Sequence, residues 1–277
     1  MKKNVIMAAM LFAAGSLLAA DPKDTVTAAA QKLATGGNYT WKSTVDAGEG
    51  GFGGGVTQGK TAAGLTWTQT PGFAFGGGDA PPPTERLFQG TNSATKNAEG
   101  QWQTAAEIAA AAAANGGGGF GGGFGGGFGG RGALVLPTTT ITDLVDGVKS
   151  LKDDNGALVG DLTEDAAKAN IFPGRGRGRG PGGPGGPGGG GPGGPGGGGF
   201  GGGGPGGAPP EPTDAKGSVK IWIKDGALVK YELKNSGKMS FGGNDIDINR
   251  TTTVEFSDVG GTKVDAPADV VKKLAGN

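Results

Sequence analysis

Residues 218–234 read SVKIWIKDGALVKYELK, and this stretch decides the fold. Two short apolar runs, 219–223 and 228–233, are joined through Lys224-Asp225-Gly226. Asp-Gly supplies the positive φ angles that a two-residue hairpin turn requires, so the stretch predicts two antiparallel strands in a tight hairpin. Residues 244–256 predict a third strand and 268–274 a short closing helix. Upstream, Val26, Ala29, Ala30 and Leu33 recur at helical spacing and Gly36-Gly37 stops the run. Residues 38–45 alternate, with Tyr39, Trp41, Ser43 and Val45 on one face, and 64–70 do the same through Leu65 and Trp67, so both predict strands.

The middle of the chain adds helices. Thr104 and Glu107 form a capping box in front of the alanine run 109–114, since each side chain can satisfy a backbone N–H at the helix start. Residues 138–152 place Leu144, Val148 and Leu151 on one stripe and predict an amphipathic helix. Asp153-Asp154-Asn155-Gly156 predicts a turn, and Thr163 a cap for a short helix ending at Phe172. The class expected is α+β: an antiparallel sheet with a few covering helices.

Composition sets the limits. The 277 residues include 65 glycines and 17 prolines but no cysteine and no histidine. Disulfides, thiolate or imidazole metal sites, cysteine nucleophiles and histidine-dependent triads are thereby excluded. The glycines cluster in 48–55, 116–132 and 174–207, and elsewhere the composition is that of an ordinary globular protein. Residues 173–212 repeat glycine and proline without the strict three-residue period of collagen. They bury too little to offset chain entropy, so a disordered insertion is expected there and a flexible Gly/Phe-rich loop at 116–132. Residues 21–172 and 213–277 would then form one discontinuous α+β domain.

Residues 1–20 have the plan of an export signal: Lys2 and Lys3, an apolar run, then small residues before Asp21-Pro22. Cleavage after Ala20 is expected, leaving no transmembrane segment, and the apolar run is shorter than the ~20 residues that span a bilayer. The mature chain would carry 23 basic side chains against 25 acidic, so bulk charge recruits neither nucleic acid nor anionic membrane. The expected location is the periplasm or the exterior of a bacterium.

Within this frame the C-terminal residues resemble a known family. Ile221-Trp222-Ile223-Lys224-Asp225-Gly226 leads into Lys230-Tyr231-Glu232, and Phe256-Ser257-Asp258-Val259-Gly260 is followed by Pro267. This looks like the end of LolA/LppX-type proteins, the periplasmic lipoprotein and lipid carriers, and residues 25–45 are similar to how that superfamily begins. The resemblance implies a strongly curved antiparallel sheet, a half-barrel, closed by helices around an apolar cavity. Two features depart from it: there is no lipidation cysteine, and the tracts at 116–132 and 173–212 have no counterpart.

Several motifs have plainer readings. Residues 54–61, GGVTQGKT, match a P-loop literally, but that chemistry needs a helix after the loop, and Gly64-Leu65-Thr66-Trp67 reads as strand. Arg175, Arg177 and Arg179 resemble an RGG segment without interleaved aromatics. They suit a solvated linker with a small basic patch touching the envelope surface, and no nucleic acid is expected. Asp245, Asp247 and Asn249 imitate a calcium loop, but Arg250 and Phe256 occupy its glycine and glutamate positions, so no metal is expected. No cofactor motif stands out.

What remains is aromatic. Tyr39, Trp41, Trp67 and Trp222 lie in predicted strands and are the candidates for lining a cavity that takes an apolar ligand, against the plainer role of filling the core. Trp102 is expected outside the sheet, ahead of the capped helix. The expected function is non-enzymatic: an exported envelope protein that binds or carries a lipid or another apolar molecule. The alternative is a secreted interaction or structural protein whose glycine tracts make the contacts.

Overall fold

The computed structural model describes residues 21–48, 54–72, 80–114, 134–171, 211–241 and 244–276. The export signal, the Gly/Phe loop and the arginine-bearing part of the 173–212 tract lie outside these residues. The chain opens with helix α1 (Pro22–Gly36), where Pro22 supplies a preset φ and Asp21 accepts from the Lys23 amide at 2.8 Å. Gly37, at φ 53°, ends it. Strands β1 (Tyr39–Asp46), β2 (Gly55–Ala62), β3 (Leu65–Thr70), β4 (Thr84–Gln89), β5 (Asn92–Lys96) and β6 (Trp102–Thr104) follow as a meander. Then come helices α2 (Ala105–Ala114) and α3 (Pro137–Asp146), hairpin β7 (Lys152–Asp154) and β8 (Ala157–Asp161), and helix α4 (Glu164–Ile171). Strands β9 (Thr213–Lys224), β10 (Ala227–Phe241) and β11 (Asn244–Ser257) and helix α5 (Ala268–Leu274) complete the order.

The class is α+β. The described strands form one open antiparallel sheet of 11, in the order β6-β5-β4-β3-β2-β1-β11-β10-β9-β8-β7. Its two halves meet where β1 pairs with β11, with Trp41 opposite Phe256 and Ser43 opposite Val254. Register carries one row of side chains across several strands, since opposite residues share a face. The face bearing Tyr39 and Trp41, called the inner face here, also bears Val254 and Phe256 of β11, Tyr231 and Leu233 of β10, and Val219 and Ile221 of β9. On it pack Val26 and Leu33 of α1, Ile141 and Leu144 of α3, and Ala167 and Ile171 of α4, all buried. Each large side chain taken fully from water there contributes roughly 1.5–3 kcal/mol.

The opposite, outer face is covered at the other end of the sheet. Val270 and Leu274 of α5 pack on Leu87 of β4 and Ala94 of β5, with Trp67 and Trp102 at the margin. The Asn92 side chain donates to the Leu274 carbonyl at 2.7 Å and so satisfies the end of this short helix.

Several expectations hold at the level of single residues. Asp225 and Gly226 have φ 53° and 69°, as the hairpin between β9 and β10 demands. The stripe Leu144, Val148, Leu151 is buried, but it is not one helix. Helix α3 stops at Asp146, and Val148 instead bridges to Leu162. Gly147 follows the helix at close quarters, since a Cβ there would lie 2.4 Å from the Ala166 methyl of α4. Residues 54–61 are not a phosphate loop: all but Gly54 lie in β2, hydrogen-bonded on both sides. Trp102 lies within the sheet, in the edge strand β6.

Gly59 of β2 shows how tightly the inner face is fitted. A Cβ built there would come within 2.2 Å of the Trp41 ring, so the indole lies flat on a strand that has no side chain at that point. Gly59→Ala should therefore destabilise the protein by about 1–3 kcal/mol through overpacking, read from denaturant unfolding. A change under about 0.5 kcal/mol would contradict this placement of the ring.

Candidate functional site

The four aromatic candidates divide between the two faces. Tyr39 and Trp41 stand on the inner face and are buried, at 0% and 5% exposure. The Tyr39 ring meets Phe256 edge-on at 5.9 Å between centroids, and its hydroxyl is 3.4 Å from Thr138 Oγ1 of α3. Tyr231 adds a third ring, 6.3 Å from Phe256. The Trp41 Nε1 is buried and has no hydrogen-bond partner among the described residues. These rings and the helix residues above them form a filled core.

Trp67 and Trp222 stand on the outer face, in β3 and β9. Five strand spacings separate those strands, roughly 24 Å, so the four rings do not line a common surface. The Trp67 Nε1 donates to Glu85 at 3.1 Å, Glu85 takes a second bond from Lys96 at 3.1 Å, and Lys60 approaches the indole at 5.8 Å. Burial pushes the Glu85 carboxyl up, but the bonds from Trp67 and Lys96 outweigh it and hold the pKa below the ordinary value. Trp222 is half-buried between Lys220 and Lys230, whose ammonium groups lie 5.5 and 5.0 Å from its ring.

Among the clefts of the described surface, two open ones gather side chains that are far apart in the sequence. One, of about 590 Å³, lies between β6, the first turn of α2 and α5. Trp102, Gln101, Gln103, Glu107, Asp269 and Lys273 contribute to its walls. Its geometry grows from the capping box, which forms as expected. The Thr104 amide donates to Glu107 Oε2 at 2.7 Å, and the Glu107 amide donates to Thr104 Oγ1 at 3.2 Å. The other Glu107 oxygen, Oε1, accepts from Lys273 Nζ at 2.7 Å, so one carboxylate caps α2 and clasps α5. The Lys273 bond and the Thr104 amide hold the Glu107 carboxyl down at about 2, and the same contact raises the Lys273 ammonium.

The second cleft, about 480 Å³, is a trough crossing β1, β11, β10, β9 and β8, with Lys216, Lys234, Asp46 and Asp161 in its walls. The inner face holds another polar pair that sequence reading passed over. Asn235 is 4% exposed, sits opposite Arg250 in register, and donates to the Asn170 carbonyl at the end of α4 at 3.2 Å. Asp245, Asp247 and Asn249 alternate with it on the outer side of β11, spread along a strand rather than gathered. Among the described residues no group of three or more acidic side chains is placed to hold a metal ion. No described helix is long and apolar enough to cross a membrane.

Compared with known proteins, the chain matches no family model, and no curated protein matches it.

The clasp has a definite pH dependence. A carboxyl depressed in the folded state stabilises above its unfolded pKa, near 4.5, and that stabilisation fades as pH falls through the folded value, about 2. Lys273→Ala should move the Glu107 midpoint up toward the ordinary carboxylate range, followed by carboxyl NMR titration. An unmoved midpoint would show that Lys273 does not hold it.

Proposed function

We propose that the chain is an exported, non-catalytic protein of the bacterial envelope, periplasmic or extracellular, built on a LolA-like half-barrel, and that it binds or carries a lipid or another apolar molecule. One observation carries this reading: the inner face presents a continuous apolar row across β1, β11, β10 and β9, covered by α1, α3 and α4. Neighbouring strands in a sheet turn by roughly 20–25°, so eleven of them coil strongly, in keeping with a half-barrel. The interior is filled, so an acyl chain enters by displacing helix side chains from this row. Apolar contacts suit such an exchange, since burying an acyl chain recovers much of what the helices give up.

A second reading is favoured by a different observation. Both clefts are open and carry charged side chains in their walls, which suits an interaction platform whose contacts are made outside the core.

Fluorescent fatty-acid analogues of graded length separate the two, used with mature protein whose intact mass begins at Asp21. A carrier gains roughly 0.8 kcal/mol for each methylene buried, so affinity should climb with chain length and Trp emission should change. Ser43→Phe, which puts a large ring on the inner face beside Trp41, should weaken binding, and Trp222→Ala on the outer face should not. If no chain length binds more tightly than about 1 mM, the carrier reading fails and the platform reading replaces it.

A further inference from the structure

The cleft between β6, α2 and α5 has the chemistry of a saccharide site, and we infer that it binds a neutral glycan, with Trp102 as the stacking platform. A sugar ring presents an apolar C–H face and a rim of hydroxyls that both donate and accept. An aromatic ring suits the first. Planar amides and carboxylates suit the second, because an amide offers donors and acceptors together and a carboxylate accepts twice. The cleft walls combine Trp102 for the apolar face with Asp269 as carboxylate, and Gln101 and Gln103 flank Trp102 along the chain at the edge of the sheet. Its volume of about 590 Å³ falls in the range of small-molecule pockets, and it is open enough for a chain to pass through.

Three details narrow the ligand. Glu107 and Lys273 neutralise each other at 2.7 Å, which leaves Asp269 as the unbalanced charge among the wall residues and disfavours acidic ligands. Both Glu107 oxygens are already engaged as acceptors, Oε2 by the Thr104 amide and Oε1 by Lys273, which leaves Asp269 to accept from sugar hydroxyls. Trp102 stays half-buried because β6 is the edge strand, with Lys96 5.9 Å from the ring. Trp67 is tied to Glu85, and Trp222 lies between two lysines outside either cleft.

The site lies at the β6 edge of the sheet, away from the helix-covered inner row, and stands independently of apolar binding there. Calorimetry and Trp fluorescence on the intact mature protein, with cellotetraose, maltotetraose, chitotetraose and polygalacturonate, test it. At least one neutral tetrasaccharide should bind more tightly than about 10 mM, and the acidic polymer should bind worse. Trp102→Ala should abolish that binding. Because Trp102 also packs beside Val270 and Leu274, the exposed double variant Gln101→Ala/Asp269→Ala is the safeguard: it should melt like the parent, bind the same sugar about tenfold more weakly, and keep its fatty-acid affinity. Absence of binding by all three neutral sugars, a preference for polygalacturonate, or unchanged affinity in the double variant would each overturn the assignment.

Discussion

The pairing of β1 with β11 holds the two ends of this chain in one structure. Seven residue pairs, from Thr40 opposite Ser257 to Asp46 opposite Thr251, join the first strand to the last. Such a seam closes a very long loop, and loop-closure entropy rises only slowly with length, so the cost is bounded while the return is large. The return is the aromatic cluster. Trp41 faces Phe256, Tyr39 meets Phe256 edge-on, and Tyr231 follows on β10. The seam is fastened at one end by Asn38, whose carbonyl accepts from the Gly260 amide at 2.8 Å and whose side chain accepts from the Thr262 amide at 2.7 Å. Thr40 and Thr262 add a hydroxyl contact at 3.0 Å.

From this seam the sheet runs in two directions with different chemistry. Toward β9 the inner face is apolar and lies under helices. Toward β4 the inner face carries Thr61, Thr66 and Thr68, and the apolar side chains Leu87 and Ala94 turn outward to meet α5. A single sheet thus serves two cores on opposite faces, and each core leaves its own kind of surface. The inner row is suited to apolar matter, whereas the margin of the α5 core mixes an indole with amides and carboxylates. The glycine tracts at 48–55, 116–132 and 173–212 connect β1 to β2, α2 to α3 and α4 to β9.

The legible parts of the fold were those encoded by contiguous residues. Asp225-Gly226 specifies its hairpin, Thr104 with Glu107 specifies a helix start, and Val26, Ala29, Ala30 and Leu33 specify a buried helical stripe. The obscure parts depend on partners far along the chain. Strand β2 has two glycines and two threonines in eight residues, with no apolar alternation, and it is a strand because β1 and β3 flank it. Strands β4 to β6 bury Leu87 and Ala94 only because α5 returns from the C-terminus to cover them. The 138–152 stripe misled because burial is shared by a helix, a bridge and a loop. For the site, the aromatic residues were visible, but which face each occupies depends on register, which a single sequence does not disclose. Trp102 went unread as a site residue for the same reason, since its cleft needs α5.

Because the protein has no cysteine, the seam can be tested by cross-linking without interference. Lys42 and Glu255 are directly opposite on the outer face of β1 and β11. The double variant Lys42→Cys/Glu255→Cys should form an intramolecular disulfide under mild oxidation, since facing residues on paired strands lie about 5.5 Å apart at Cα, within disulfide reach. The control Lys42→Cys/Thr253→Cys, two residues out of register, should cross-link far less. Intact mass before and after alkylation reads the outcome. Equal cross-linking in both variants, or none in the first, would contradict the β1–β11 register and with it the single sheet on which both proposed surfaces stand.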